Sequence, residues 1–256
     1  RAGVNFSYQK KKFRAQLGAS VNPTITHNET TGHEPYDNKV VNWSPQAMVF
    51  FNPNDNTNFR LFYFGRSAQP STSQLMPVPD NSDPLNISLG NPNLNPYFTH
   101  NLRSRFGYTN KQTFTSVNVN LNASFIKDPI TSATWYTNST NFSIPVNGPT
   151  RSSVNANLFI NSPFGKSNFS IFSMTFANYN ESATFVGTED FEKNKAQNYY
   201  VPEKAEFKYK EFNEEIDVND PSMFIKNLTQ TVSVTQRLRF TYRSDLVELN
   251  VGGRTR

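Results

Sequence analysis

The chain contains no cysteine. Disulfide scaffolds, cysteine nucleophiles and thiolate metal sites are therefore excluded. It also lacks an apolar run near the roughly 18 residues that a membrane helix requires; the best stretches are Met48 to Phe51 and Phe62 to Phe64. Helical membrane insertion is excluded, but a β-barrel is not, because its lipid-facing residues occupy alternate positions and leave average hydropathy low. Glycine is sparse, at 11 residues of 256, and helix formers are scarce beside Asn, Ser and Thr. The net charge of +5 is modest, and Lys and Arg do not gather into a block with aromatic interleaving, so no nucleic-acid partner is expected. The histidines, His27, His33 and His100, are scattered, whereas a metal site needs convergent ligands. No Ser/His/Asp arrangement, phosphate loop or paired-carboxylate signature is present, so neither catalysis nor a cofactor is expected.

What the chain does have is aromatic alternation. Its 23 Phe and 11 Tyr residues recur at every second position against Asn, Ser, Thr and Arg, the mark of strands with one apolar and one polar face. Val4, Phe6 and Tyr8 open the pattern and a turn at residues 9–12 ends the first strand. Phe13 to Val21 follow, and residues 22–40 read as a long loop. Trp43 to Phe51 and Phe59 to Tyr63 flank a tight turn at Pro53-Asn-Asp-Asn56. Residues 74–96 form a Pro-, Asn- and Asp-rich excursion through which no regular element is expected to run. Beyond it lie strands at Leu102 to Tyr108 and Val117 to Phe125, a loop at 127–149 carrying Trp135 and Tyr136, and a strand at Val154 to Ile160. A further strand spans residues 168–179, with a parity slip at Ile171 and Phe172 that suggests a bulge or a strand end. Residues 181–226 are irregular and rich in charge. Strands at Leu228 to Tyr242 and Val247 to Val251 close the series.

Ten candidate strands thus alternate short and long connections: short after the first, third, fifth, seventh and ninth, long after the others. In an up-and-down meander this puts tight turns at one end and large loops at the other, the asymmetry of outer-membrane barrels. A connection of about thirty residues is also rare in a compact soluble domain unless it is functional. The fold class expected is all-β: part of an antiparallel up-and-down transmembrane barrel, with the apolar parity facing lipid and the polar parity facing a wet lumen. Tyr8, Trp43, Tyr63, Tyr108, Phe114 and Tyr242 fall near strand ends, where aromatic rings settle at the headgroup level.

The segment Phe64-Gly-Arg-Ser-Ala-Gln-Pro-Ser71, with Gln74-Leu75, Pro77-Val-Pro-Asp-Asn-Ser-Asp-Pro-Leu85, Gly90-Asn-Pro-Asn-Leu-Asn-Pro96 and His100-Asn101, resembles the barrel of TonB-dependent outer-membrane receptors. One departure is Asn95-Pro96-Tyr97, where that family usually has Lys-Pro-Glu. The resemblance implies a larger barrel of roughly twenty-two strands, of which residues 1–256 supply about ten, with no plug domain in this chain. It implies a plug and remaining strands of the same protein as partners, outer-membrane lipid around the wall, a TonB complex acting through the plug, and room for a surface lipoprotein. Function by resemblance is import of a bulky nutrient, such as a siderophore, glycan or peptide, across the outer membrane of a Gram-negative bacterium, with the long loops capturing it. A surface β protein or carbohydrate-binding adhesin that binds without transport is the other reading.

Within this frame, Trp135, Tyr136, Asp80 and Asp83 are the loop residues expected to meet substrate. Arg103, Arg105, Asn118, Asn120, Arg237, Arg239 and Arg243 are expected to line the lumen, where arginines pair with acidic groups or attract anions. Asp80-Asn-Ser-Asp83 and Asp217-Val-Asn-Asp220 offer oxygen ligands at short spacing, but Asx turns explain both and no metal is expected.

Overall fold

The structure, a computed structural model, describes residues 2–28, 36–137, 139–165 and 167–255. His33 and part of the loop expected at 22–40 lie outside the described residues. In chain order the strands are β1 Ala2–Lys10, β2 Phe13–Asn28, β3 Tyr36–Asn54 and β4 Thr57–Ala68. A one-turn helix α1, Thr72–Leu75, and short strands β5 Asp80–Asp83 and β6 Asn86–Ser88 follow. Then come β7 Tyr97–Asn110, β8 Thr115–Lys127, β9 Ile130–Thr137, β10 Thr140–Asn147, β11 Arg151–Pro163 and β12 Phe169–Gly187. The chain continues through α2 Glu189–Asn194, β13 Tyr200–Val201, β14 Glu206–Phe207, α3 Tyr209–Glu215, β15 Phe224–Arg243 and β16 Glu248–Thr255.

Ten of these strands form one antiparallel meander in the order β1, β2, β3, β4, β7, β8, β11, β12, β15, β16. The tight turns 11–12, 55–56, 111–114, 164–168 and 244–247 lie at one end, and the long connections lie at the other. The expected rhythm is therefore present strand for strand. Among the described residues the outward edges of β1 and β16 are unpaired, so the sheet is an open wall and not a closed barrel.

Register carries one parity across the whole wall. Phe6 faces Leu17, Leu17 faces Ala47, Ala47 faces Tyr63 and Tyr63 faces Leu102. The lane continues through Ala123, Val154 and Tyr179 to Val232. Since a slip of one residue would send every side chain to the opposite face, this agreement over nine strands fixes a continuous apolar surface. That surface stays exposed: Val4 is 79% exposed and Val232 70%. The buried core lies elsewhere, in residues drawn from the long-connection end. The wall has no dry interior of its own, as expected for a sheet whose apolar side meets lipid. Tyr8, Trp43, Tyr63, Tyr108 and Tyr242 share the apolar parity, whereas Phe114 sits in a turn at positive φ and is 73% exposed. Trp43 stacks on Phe98 at 4.8 Å, and the Tyr63 hydroxyl meets His100 Nδ1 at 2.9 Å.

Five expectations need correction. The loop at 22–40 is largely strand, because β2 and β3 stay paired out to Asn28 and Tyr36, with Asn42 Nδ2 donating to Thr24 Oγ1 at 3.1 Å. The bulge or strand end near Ile171 is absent: β12 keeps an unbroken register against both β11 and β15. Its parity slips because Phe172, Met174 and Phe176 stand on the polar face, where Arg239 lies 5.9 Å over the Phe172 ring and Phe176 packs edge-on against Phe159. The excursion at 74–96 holds the end of α1 and the strands β5 and β6. The loop at 127–149 is a β-hairpin, β9–β10, with an unbroken register from Thr140↔Thr137 to Asn147↔Ile130. The charged piece at 181–226 begins with seven more residues of β12 and contains α2 and α3.

Candidate functional site

Three of the long connections merge into one folded cap. Beyond Glu181, β12 outruns its last partner on β11, and β9 takes the vacated edge in parallel, pairing Ala133 with Phe185 and Thr134 with Val186. Strand β10 then pairs in parallel with β6, joining residues 69–96 to the same sheet. Connection 188–223 closes over it. Thr188 caps α2 by accepting from the Phe191 amide, with Glu189, Asp190 and Glu192 in the first turn, where the helix dipole favours negative charge.

Trp135 is the centre of this unit. It is 1% exposed, stacked on Phe142 at 5.6 Å and Phe212 at 5.4 Å, with Phe191 and Phe224 edge-on at 5.9 and 6.3 Å. The expectation that Trp135 meets substrate from a loop is corrected here: on a paired strand alternate residues point opposite ways, and this one points into the core. Its neighbour Tyr136 points out, is 57% exposed, and has its amide held by Glu192 Oε1 at 2.9 Å. Tyr199 is buried against α3 and donates to Glu215 Oε2 at 2.7 Å; burial, then that carboxylate, push its hydroxyl up to about 12.

The Gly-Asn-Pro element has a local reason. Gly90 passes so close to Met76 that a Cβ there would stand 1.8 Å from the Met76 carbonyl oxygen. Asn91, 8% exposed, receives the Asn93 amide on Oδ1 and donates Nδ2 to Pro145 O of β10 at 2.9 Å. Asn147 completes the seam, accepting from the Asn95 amide and donating to Asn95 O and Asp128 O. The excursion is thus stitched to the hairpin, and Ser71 and Gln74 form a capping box on α1. Gly90→Ala is expected to displace residues 69–96 at a cost of about 1–3 kcal/mol. Hydrogen exchange over that segment measures it, and unchanged protection would contradict the tight passage.

Beneath this strap lies a cavity of about 450 Å³ lined by Ser73, Gln74, Asp80, Ser88, Ser132 and Ser143 among others. A neighbouring cavity of about 330 Å³, sharing Gln74 and Ile130, adds Tyr97, Ile126 and Arg151 from the polar face of the wall. Asp80 therefore lines a cavity, but its carboxyl is lowered from the usual range by the Ser82 side chain and then by the Ser82 amide, which donates to it at 3.2 Å. Asp83 is lowered by Asn86 Nδ2 and the Leu85 amide, and Asp217 and Asp220 close turns of the same kind. Tyr97, Arg151 and Gln74 were not legible as site residues. Their convergence depends on the strap folding back over the wall.

On the polar face Asn118 and Asn120 occupy the middle lanes, Asn120 between Arg105 and Asn157. Arg103, Arg105, Arg237, Arg239 and Arg243 share that face with Arg14, Arg60, Arg66, Arg151 and Arg254. No lysine joins them among the described residues, and Glu248 is the only carboxylate on these strands' polar parity. Arg243 pairs with that Glu248 at 2.9 Å in an exposed bridge of small energetic weight. Aromatic rings interrupt the polarity: Arg103 lies 5.5 Å over Phe64, and Phe50 meets Phe62 edge-on.

No curated protein matches the chain. Among solved structures, the outer membrane transporter YddB from Escherichia coli matches at 12% identity and a TM-score of 0.38, over 98% of this chain and 33% of that one. The chain spans about a third of that transporter's length. The outer membrane protein beta-barrel family matches residues 2–248, nearly the whole sequence. The ten-strand wall, with its exposed apolar belt and its tight turns all at one end, belongs to a member of the outer membrane protein beta-barrel family.

Proposed function

We propose that the chain forms part of the wall and the outer roof of a TonB-dependent transporter that brings a bulky nutrient, of the siderophore, glycan or peptide kind, into a Gram-negative cell. The observation that carries this reading is the cap. Connections 69–96, 128–150 and 188–223 fuse into one unit with its own aromatic core over the mouth of a polar wall. A channel for small solutes needs no such roof, whereas a large ligand must be gripped by extended surface before it passes.

On this reading further strands of the same protein close the wall, because unpaired backbone groups in hydrocarbon cost several kcal/mol each. A plug domain fills the lumen and the TonB complex acts through it, while the cap offers a seat for a surface lipoprotein. Tyr97, Arg151 and Asp80, around the cavities under the strap, are the residues assigned to first contact with the nutrient. The test is uptake by cells with and without the full-length protein, over a panel of siderophores, oligosaccharides and peptides, before and after the proton gradient is collapsed. Gradient-dependent uptake of one class is expected. Surface binding without any uptake would replace transport with the adhesin reading.

A further inference from the structure

We propose that Arg60, Arg103 and Arg105 form an oxyanion-binding site on the polar face, built to receive a carboxylate or phosphate group. Arg60 and Arg105 are direct register partners across β4 and β7, and Arg103 follows two positions along β7. Arg14 lies in the same lane, on the far side of Phe50. Like charges placed directly opposite one another destabilise a sheet. An arrangement of this kind persists when something negative comes between them.

That negative charge does not come from the sheet. The arginines sit in its middle, with β2 and β3 on one side and β8 and β11 on the other. Their lateral neighbours are Met48, Phe50, Phe62, Asn118, Asn120 and Asn122, none of them acidic. Asp55 is the nearest carboxylate in sequence to Arg60. From its exposed turn it lines the same cavity of about 440 Å³ as Arg60 and Arg105, together with Asn52, Asn54, Thr57 and Asn58. Neither arginine forms an ion pair with it or with any other described residue. The compensating charge therefore arrives from the open side of the wall.

The residue types fit an oxyanion. A guanidinium presents a planar fork that grips two oxygens at once, and neighbouring amide side chains supply further donors. Had the face needed only hydration, lysine and carboxylates would serve and would be mixed in. Instead Arg103 is also held over Phe64, which orients its head without neutralising it. The oxyanion is either a free ion in transit or a carboxylate side chain of a polypeptide lodged against the wall. The site rests on the polar face being wet, and not on energy-coupled import, so an uptake assay that fails leaves it standing.

The melting temperature of the full-length protein in detergent decides the matter, measured in chloride buffer and again with inorganic phosphate. If no oxyanion visits, Arg60→Gln relieves repulsion and leaves the melting temperature equal or higher. With a lodged carboxylate, Arg60→Gln lowers it by about 3 °C in chloride alone, and phosphate adds little. With a free oxyanion, phosphate raises the melting temperature of the parent protein, and the rise vanishes in Arg60→Gln/Arg105→Gln. Arg105→Lys keeps the charge but not the fork, and is expected to lose most of either effect. An Arg60→Gln protein at least as stable as the parent, with no phosphate response in the parent, overturns the site. So does a phosphate response that is the same in parent and variants.

Discussion

Ala156→Arg is expected to destabilise the inserted wall by about 2–4 kcal/mol, while Asn155→Arg, its neighbour in sequence, shifts stability by less than about 1 kcal/mol. The two positions lie at the same depth of β11 and differ only in face. Ala156 stands between Leu121 and Ala177 in the apolar lane, and Asn155 between Asn122 and Asn178 in the polar one. A guanidinium at 156 must desolvate among acyl chains or drag water after it. At 155 it joins a hydrated face that already carries arginines. Urea unfolding of the full-length protein in lipid vesicles, read by the heat-modifiable gel shift of the folded form, measures both. Equal tolerance at 155 and 156, or a reversed order, would show that the apolar belt does not face lipid.

Trp135→Ala is expected to cost about 3–5 kcal/mol, all of it in the cap. The indole touches five aromatic rings contributed by β10, α2, β14, α3 and the start of β15, so its removal opens a hole that no single neighbour can fill. The wall shares few of these contacts and remains paired. Limited proteolysis of the folded full-length protein should then cut within 188–223 and leave the transmembrane strands intact, a local opening well below the cost of global unfolding. Loss of the strands along with the cap would mean that the two are one cooperative unit.

The wall was readable because its signal is periodic and local. The alternation in Val117, Val119, Leu121, Ala123 and Phe125 states both a strand and its orientation, and the register Leu121↔Ser104 and Leu121↔Ala156 only confirms it. The cap was not readable, because what makes it is nonlocal. Strand β9 looks like loop in isolation: Pro129 and Asn138 bracket a short run, and the run becomes a strand by pairing with β10 and with the free edge of β12. Trp135 and Tyr136 illustrate the limit. Adjacent aromatic residues in a polar stretch look equally suited to binding, and only the pleat decides that one is core and the other surface. Phe172 misled in the opposite sense, since an aromatic on a polar face reads as a register fault until Arg239 is seen above it.

The parallel seams also set an order of assembly. Ala133 meets Phe185, and Asn86 meets Asn141, so the cap is knit from segments that lie far apart along the chain and belong to separate loops. Nonlocal pairing of this kind forms late, since each long loop must be restrained before its contacts repay the lost entropy. Insertion of β12 across the membrane is therefore the event that licenses the roof. Before it, the aromatic residues of 128–150 have nothing to cover them, which makes that interval the one in which a neighbouring copy can capture the chain.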